Sequence, residues 1–358
     1  MENSSVLPSE ASDGFFPIEP PPSAIHQAFR VISLIIFCFS FVLGITGNGL
    51  VIWVTGFRMT RTVTTILFLN LASADFTFTA FLPFLIISTA LQSHWPFGGL
   101  LCKLISSLAT FNMFASVFLL TLISLDRCVT VLWPVWARNH RKPCGAALGA
   151  AGAWIFALAF SVPTLIFRTT YIDDKITYCF VDFDPWGEAG DDDEYYNALT
   201  ESRQWSLVLS RFILGFAIPL LIISICYGLI TVKLWNRSKT IKSSRPFKIL
   251  TAVVAAFFLC WLPYHVVGIM ETSVYRYPHL EDVLPYLSPL SSSLAFINSC
   301  LNPLLYVFMG RDFREKLFRS LPAVLERALS EESTPTAITS NNSSTLAPPA
   351  TDAETQGL

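Results

Sequence analysis

Apolar residues along the chain gather into runs near 20 residues long, separated by short polar stretches. A helical run of that length spans the hydrocarbon core of a bilayer, about 30 Å at about 1.5 Å per residue. Seven such runs are recognisable, at residues 28–54, 63–91, 100–132, 145–167, 205–232, 249–270 and 283–308. The expected fold class is an all-α membrane protein, a seven-transmembrane helix bundle. "FREKLF", Phe313–Phe318, interleaves apolar and charged residues as a short amphipathic eighth helix lying on the membrane would. The pattern divides the chain into an N-terminal tail at 1–27, the bundle at 28–308, the eighth helix at 309–321 and a C-terminal tail at 322–358.

Composition agrees with a membrane setting. Of 358 residues 53% are hydrophobic and 14% charged, the mean hydropathy is +0.53, and there are 30 Phe and 9 Trp, an apolar load above that of an ordinary soluble domain. The net charge of -2 decides little, because its distribution across the bilayer matters more than its sum.

That distribution is one-sided. The loops of one face hold Arg58 and Arg61, then Arg138, Arg141 and Lys142, then Lys233, Arg237, Lys239, Lys242, Arg245 and Lys248, eleven basic residues with no acid. On the other face, residues 168–204 carry Arg168, Lys175 and Arg203 against ten acids, including the run "DDDE" at 191–194. The positive-inside bias makes the basic face cytoplasmic, so the N-terminus is expected outside and the C-terminus inside. Residues 1–27 are polar, acidic and Pro-rich, so no signal peptide is expected and the first helix should direct insertion. With this orientation the sequon at Asn3 is the one expected to be glycosylated, those at Asn236 and Asn341 facing the cytoplasm. The acidic stretch has two readings: a surface that steers ligands carrying basic residues, or a solvated loop that touches nothing.

Six of the eight cysteines fall in or beside apolar runs, where small buried thiols are the rule. Cys102, at the start of the third run, and Cys179, in the acidic loop, lie on the oxidising side, and a disulfide between them is expected to tether the loop over the bundle. No metal-ligand spacing links the cysteines with the five histidines, and no cysteine beyond residue 310 offers a lipid anchor.

One stretch resists the apolar pattern: in "LISLDRCVTV", Leu122–Val131, an acid and a base stand side by side. A charge at the bilayer centre costs about 3 kcal/mol or more, so the pair belongs at the end of its span. "LDRC" there, with "LASAD" around Asp75, "CWLP" at Cys260–Pro263 and "NPLLY" at Asn302–Tyr306, resembles the rhodopsin-like G-protein-coupled receptors. The resemblance implies an activation switch of Asp126, Arg127, Tyr227, Trp261, Pro263, Asn302, Pro303 and Tyr306. Helices five, six and seven would bend at Pro219, Pro263 and Pro303, where each proline removes an intrahelical hydrogen bond. It also implies a sodium ion held at Asp75 with Asn112, Ser116, Asn298 and Asn302, Ser299 lying beside them; the alternative reading of these residues is a neutral hydrogen-bonded network. No other cofactor is expected. Helix six begins "KSSRPFK", with no acid near Ser243 to pair with Arg127, so no interhelical ionic lock is expected.

Longer stretches, among them "VIWVTGFRMTRTVTT", "HWPFG", "IKSSRPFKILTAVVAAFF", "SLAFINSCLNPLLYVFMGRDFRE" and "LERALSEES", resemble the formyl peptide receptors, within a group that includes the chemerin and anaphylatoxin receptors. This resemblance runs from about residue 28 to the tail. It implies a chemoattractant receptor of the plasma membrane, activated by an extracellular peptide and coupling to an inhibitory-class heterotrimeric G protein, with calcium signalling and chemotaxis. Two positions depart from it. Where those receptors carry an Asp on helix three, this chain has Thr110. Of their two Arg four apart on one face of helix five, only Arg211 remains, with Leu207 at the other position. The expected ligand contacts are Arg211, Thr110, Leu207, Trp261 and Phe114, and the alternative is a chemosensory receptor of the same family for a non-formylated or apolar ligand.

Other classes fit less well. A transporter of this size more often shows an internal repeat or paired broken helices, and neither is visible. A retinal pigment needs a Schiff-base lysine where Phe296 stands, and an amine receptor needs a carboxylate where Ala109 stands. No nucleophile, base and orienting group converge on a motif, so no enzymatic activity is expected, and nucleic acid is not an expected partner. Residues 330–358 are rich in Ser, Thr, Pro and Ala and read as disordered. Acids beside hydroxyls in "SEEST" point to Ser330, Ser333, Thr334 and Thr336 as kinase sites that build an arrestin-binding surface, the alternative being an inert tail.

Overall fold

The structure is a computed structural model that describes residues 24–173, 175–237, 245–274 and 276–309. Lipid offers no partners to backbone N–H and C=O groups, so each membrane-spanning segment satisfies them within a helix. The elements in order are α1 (Ala24–Trp53), α2 (Val63–Ala80), α3 (Leu82–Ala90), α4 (Gly98–Leu132), α5 (Pro134–His140), α6 (Pro143–Phe167), β1 (Arg168–Asp173), β2 (Ile176–Val181), α7 (Asp193–Phe212), α8 (Ile218–Arg237), α9 (Arg245–Thr272) and α10 (Leu284–Met309). Because α2 continues into α3, and α7 into α8, these form seven helical spans at the seven expected runs. Among the described residues, six are long and apolar enough to cross a membrane. In the seventh, α10, Ser291, Ser293, Asn298, Ser299 and Asn302 are buried.

Three features differ from the hydropathy reading, each for a local reason. The second span breaks at Phe81, and α3 restarts with Pro83 in its first turn, where a missing N–H costs no hydrogen bond. The fifth span starts at Asp193, well before residue 205, because the Asp192 carboxylate accepts from the Tyr195 N–H at 3.0 Å and Asp193 and Glu194 occupy the first turn. Acids there complement the positive end of the helix dipole. The acidic run is therefore in part a helix start and not loop alone. Finally, α7 joins α8 through a π-helical turn at Ile213–Ala217 that ends next to Pro219, so the ladder is reset where proline cannot donate to it.

Small residues let helices approach closely. A Cβ on Gly47 would stand 2.7 Å from the Cβ of Pro303, so α1 and α10 approach as only glycine permits. Beside it the Asn48 side-chain amide donates to the Ser299 carbonyl at 2.9 Å.

One end of the bundle carries the β1–β2 hairpin, paired antiparallel with Thr170 opposite Cys179. As expected, Cys102 and Cys179 are joined by a disulfide, their Cα atoms 5.6 Å apart. Two backbone N–H bonds add to it: Trp95 donates to the Thr177 carbonyl at 2.7 Å, and Thr177 donates to His94 Nδ1 at 3.0 Å. Past the hairpin, the Asp184 carboxylate accepts from the backbone N–H of Ala189 at 3.1 Å and of Glu188 at 2.9 Å, with Arg203 3.7 Å away. These contacts, Ala189 foremost, hold that carboxyl below the usual range. Asn3, Ser243, the amphipathic segment after Met309, and Ser330, Ser333, Thr334 and Thr336 lie outside the described residues.

Replacing Cys102 or Cys179 by Ser is expected to lower stability by about 2–5 kcal/mol and to cut surface expression equally, the double replacement being no worse than either single. Surface labelling and thermal unfolding check this; a variant with normal expression and stability would contradict a tethering role.

Candidate functional site

Polar side chains inside the bundle form three groups. At the hairpin end, Arg211 on α7 donates from Nη2 to Thr164 Oγ1 at 2.8 Å, and that hydroxyl lies 3.2 Å from Thr110 Oγ1 on α4. Thr164 stands in the last turn of α6, so the chain joins three spans. Arg168, the next residue to leave α6, donates from Nη1 to the Cys179 carbonyl at 3.2 Å, while its Nε is buried without a hydrogen-bond partner. Burial pulls this guanidinium below its ordinary pKa. At the end of α9 the Glu271 carboxylate accepts from the Ser288 hydroxyl at 2.6 Å and lies within electrostatic reach of both Arg168 and Arg211. His265 is buried beside Phe212 and Phe216, its ring 5.9 and 5.1 Å from theirs.

The second group sits mid-bundle. Asp75 is fully buried and accepts from Asn302 Nδ2 at 2.6 Å and from Ser116 Oγ at 3.3 Å. Asn112 Nδ2 donates to Ser299 Oγ at 3.1 Å, leaving Asn112 Oδ1 buried without a hydrogen-bond partner, as is Asn298 Nδ2. Carboxylate, hydroxyl and amide oxygens are the donor set of a hard cation, so these residues fit a sodium ion; with the bonds just described they also form a connected neutral network.

The third group lies at the opposite end. Asp126 does not pair with its neighbour Arg127. Arg141, just past α5, grips it through Nε at 2.6 Å and Nη2 at 2.8 Å. Arg127 donates instead to Thr64 Oγ1 on α2 at 3.1 Å, an oxygen that also accepts from Arg141 at 2.8 Å. Tyr227 on α8 stands next to Ser124 and within electrostatic reach of Arg127.

With this arrangement in view, comparison with known proteins is decisive. Residues 47–306 match the family model for the 7 transmembrane receptor (rhodopsin family). The chain is 51% identical over 336 residues to human N-formyl peptide receptor 2, covering 92% of this chain and 93% of that one. It is 48% identical to the mouse formyl peptide receptor 2, with 92% and 93% covered, and 46% identical to human N-formyl peptide receptor 3 over the full length of both. The chain belongs to the rhodopsin family of seven-transmembrane receptors, in its formyl peptide receptor branch. It is a multi-pass plasma-membrane receptor that takes an extracellular ligand and couples to a G protein, and it is not an enzyme.

The receptor brings some of the expected ligand contacts together and not others. Thr110 and Arg211 meet through Thr164, and Leu207 lies one turn before Arg211 on the same face. Phe114, 1% exposed, is one turn further into α4, packed on Phe118, Phe160 and Gly215. Trp261 is buried edge-on to Tyr264 at 5.5 Å. Both are core beneath the polar chain. Pro263 lies within α9, Asn302 and Pro303 within α10 beside Asp75, and the side chain of Tyr306 is outside the described residues. Arg168, Thr164, Glu271 and His265 were not singled out by sequence reasoning. Two of them sit where an apolar run meets a loop, and there a charge reads as an ordinary interfacial residue.

Arg141→Ala removes the two-pronged partner of Asp126 and is expected to destabilise the receptor by about 1.5–3 kcal/mol. Arg141→Lys should recover only part of this, since it keeps the charge but not the fork. Thermal unfolding of the purified receptor checks both, and an unchanged Arg141→Ala would show the pair to be idle.

Proposed function

We propose that the receptor is activated by extracellular peptide chemoattractants and couples to inhibitory-class G proteins, with calcium signalling and chemotaxis as outputs. In this reading the N-terminus is outside with a glycan on Asn3, the C-terminus is inside, and phosphorylated Ser330, Ser333, Thr334 and Thr336 recruit arrestin. The basic loops support the orientation. The observation that carries the ligand reading is the Arg211–Thr164–Thr110 chain beneath the tethered hairpin of a receptor 51% identical to one named for N-formyl peptides. A second reading, a ligand that is apolar or not formylated, is favoured by Leu207 beside Arg211, which removes a donor from the face.

The mid-bundle group is proposed to hold a sodium ion in the inactive state, through the Asp75 carboxylate, the Ser116 and Ser299 hydroxyls and Asn112 Oδ1, with Asn298 and Asn302 beside them. An ion that favours the inactive state weakens agonist binding, and agonist weakens ion binding equally.

Two experiments test these readings. Asp75→Asn should abolish the effect of sodium on agonist affinity; a mutant whose affinity still falls with sodium as in wild type would remove the site. Short formyl peptides should be weak agonists, because each lost charge-assisted hydrogen bond costs about 1.5–3 kcal/mol, roughly ten- to hundredfold in affinity. Thr110→Asp/Leu207→Arg should gain formyl sensitivity, since its carboxylate would stand one hydroxyl away from Arg211. Calcium and cAMP responses to a short formyl peptide and its unformylated twin measure this, and high formyl potency on wild type would show that these positions do not choose the ligand.

A further inference from the structure

We propose that Cys128 and Cys226 form a redox modification site, a pair of thiols on facing spans that a hydroperoxide converts into a disulfide, clasping α4 to α8 at the end of the bundle opposite the hairpin. The inference goes beyond the agonist reading and needs only that the receptor couples to a G protein.

Both cysteines are free and buried, 6% and 4% exposed. They pack in one apolar cluster with Ile230, flanked by Val131, Leu132 and Ile222. The two thiols lie within hydrogen-bonding reach of each other although they come from different helices. Cys128 follows Arg127 in α4, and Cys226 precedes Tyr227 in α8. The pair is thus one residue away from two side chains of the implied switch: Arg127, which donates to Thr64 Oγ1 at 3.1 Å, and Tyr227, within electrostatic reach of it. A disulfide holds its two Cα atoms about 4.4–6.8 Å apart. Bridged, α4 and α8 would be fixed in their resting spacing beside those two residues, and any rearrangement that parts them would be blocked.

The chemistry takes two steps. One sulfur, as its thiolate, attacks the hydroperoxide; the O–O bond breaks, an alcohol or water leaves with the thiol's proton, and the sulfur becomes a sulfenic acid, oxidised by two electrons. The second sulfur, also as thiolate, attacks the first; the S–O bond breaks, the S–S bond forms, and the departing hydroxide takes the second proton as water. Burial from water slows the first step, so the oxidant that suits the site is small and uncharged, as hydrogen peroxide is. The second step needs no diffusion, because the thiols already touch. With this end on the cytoplasmic face, where thiols are kept reduced, such a bridge is a transient mark and not a structural one.

The test treats purified full-length receptor in lipid nanodiscs with graded hydrogen peroxide, blocks the remaining thiols by alkylation and maps disulfides by mass spectrometry. A linked Cys128–Cys226 peptide should appear in wild type while Cys102–Cys179 stays intact. The unfolding midpoint should rise on treatment, since the bridge closes a long loop in the unfolded chain. Nucleotide exchange on a purified inhibitory-class heterotrimer, driven by saturating formyl-Met-Leu-Phe, should be lost. Both responses should vanish in Cys128→Ala and in Cys226→Ser, either of which suffices if the other fails to fold. They should persist in Cys38→Ala/Cys144→Ala, which removes the two exposed thiols. Where the peptide drives too little exchange to lose, the midpoint, which needs no agonist, decides. Absence of the linked peptide, or sulfinic acids at the two positions in its place, overturns the site. So does a linked receptor with an unchanged midpoint, or one whose exchange was measurable before treatment and is undiminished after it. A peroxide response that survives in Cys128→Ala or Cys226→Ser overturns it as well. Failure of formyl-Met-Leu-Phe to drive exchange in the untreated receptor bears on the peptide reading alone.

Discussion

A carboxylate at the centre of a membrane bundle must be answered from within the bundle, since lipid offers it no donor. Asp75 is answered from α10 by Asn302 and from α4 by Ser116, so α2, α4 and α10 meet on one side chain. The network reaches α1 by way of a proline. Pro303 has no N–H to give to the carbonyl four residues earlier, which is that of Ser299, and Asn48 on α1 takes that carbonyl at 2.9 Å. Gly47, next to Asn48, is what lets the proline ring come close enough. The proline in α10 and the contact with α1 are thus one device: the bond that proline removes inside a helix is remade between helices.

The hairpin end obeys the same constraint with charge in place of neutral amides. Cys179 carries two duties there, its sulfur bound to Cys102 and its carbonyl accepting from Arg168. The covalent tether therefore does more than cover the bundle. It fixes the strand against which Arg168 is held, and so places a cation on the same face of the bundle as Arg211. Thr110 and Leu207 carry no charge, yet this end is not apolar. Arg168 at the start of β1 brings positive charge there, and Glu271 at the end of α9 brings negative charge.

Much of this was legible in the sequence. The seven spans, the disulfide and the mid-bundle polar residues follow from run length, compartment and the cost of buried polarity. Boundaries marked by polar residues were not: Asp192 to Glu194 begin a helix that hydropathy cannot see, because a helix start is made by caps and charges. Arg168 and Glu271 escaped notice for a related reason. Each is an ordinary charged residue beside a loop, and only the fold brings the two ends of separate spans together with Arg211. The hairpin was hidden too, since a search for runs near 20 residues overlooks strands of six, "RTTYID" and "ITYCFV".

The end opposite the hairpin shows how the adjacent acid and base of "LDRC" are tolerated, and how their pairing biases the balance between states. Asp126 is satisfied by Arg141, a two-pronged ionic contact that does not involve Arg127. Arg127 is left with a hydroxyl, Thr64 Oγ1, which it shares with Arg141. A hydrogen bond to a neutral, shared hydroxyl is a weaker hold than a two-pronged pair with a carboxylate. Moving Arg127 away from Thr64 therefore leaves no carboxylate stranded, whereas parting Asn302 from Asp75 strips a buried acid of its shorter bond. Asp75, buried and answered from two helices, is thus the more firmly anchored of the two, and Arg127 at the far end is held by a hydroxyl it shares.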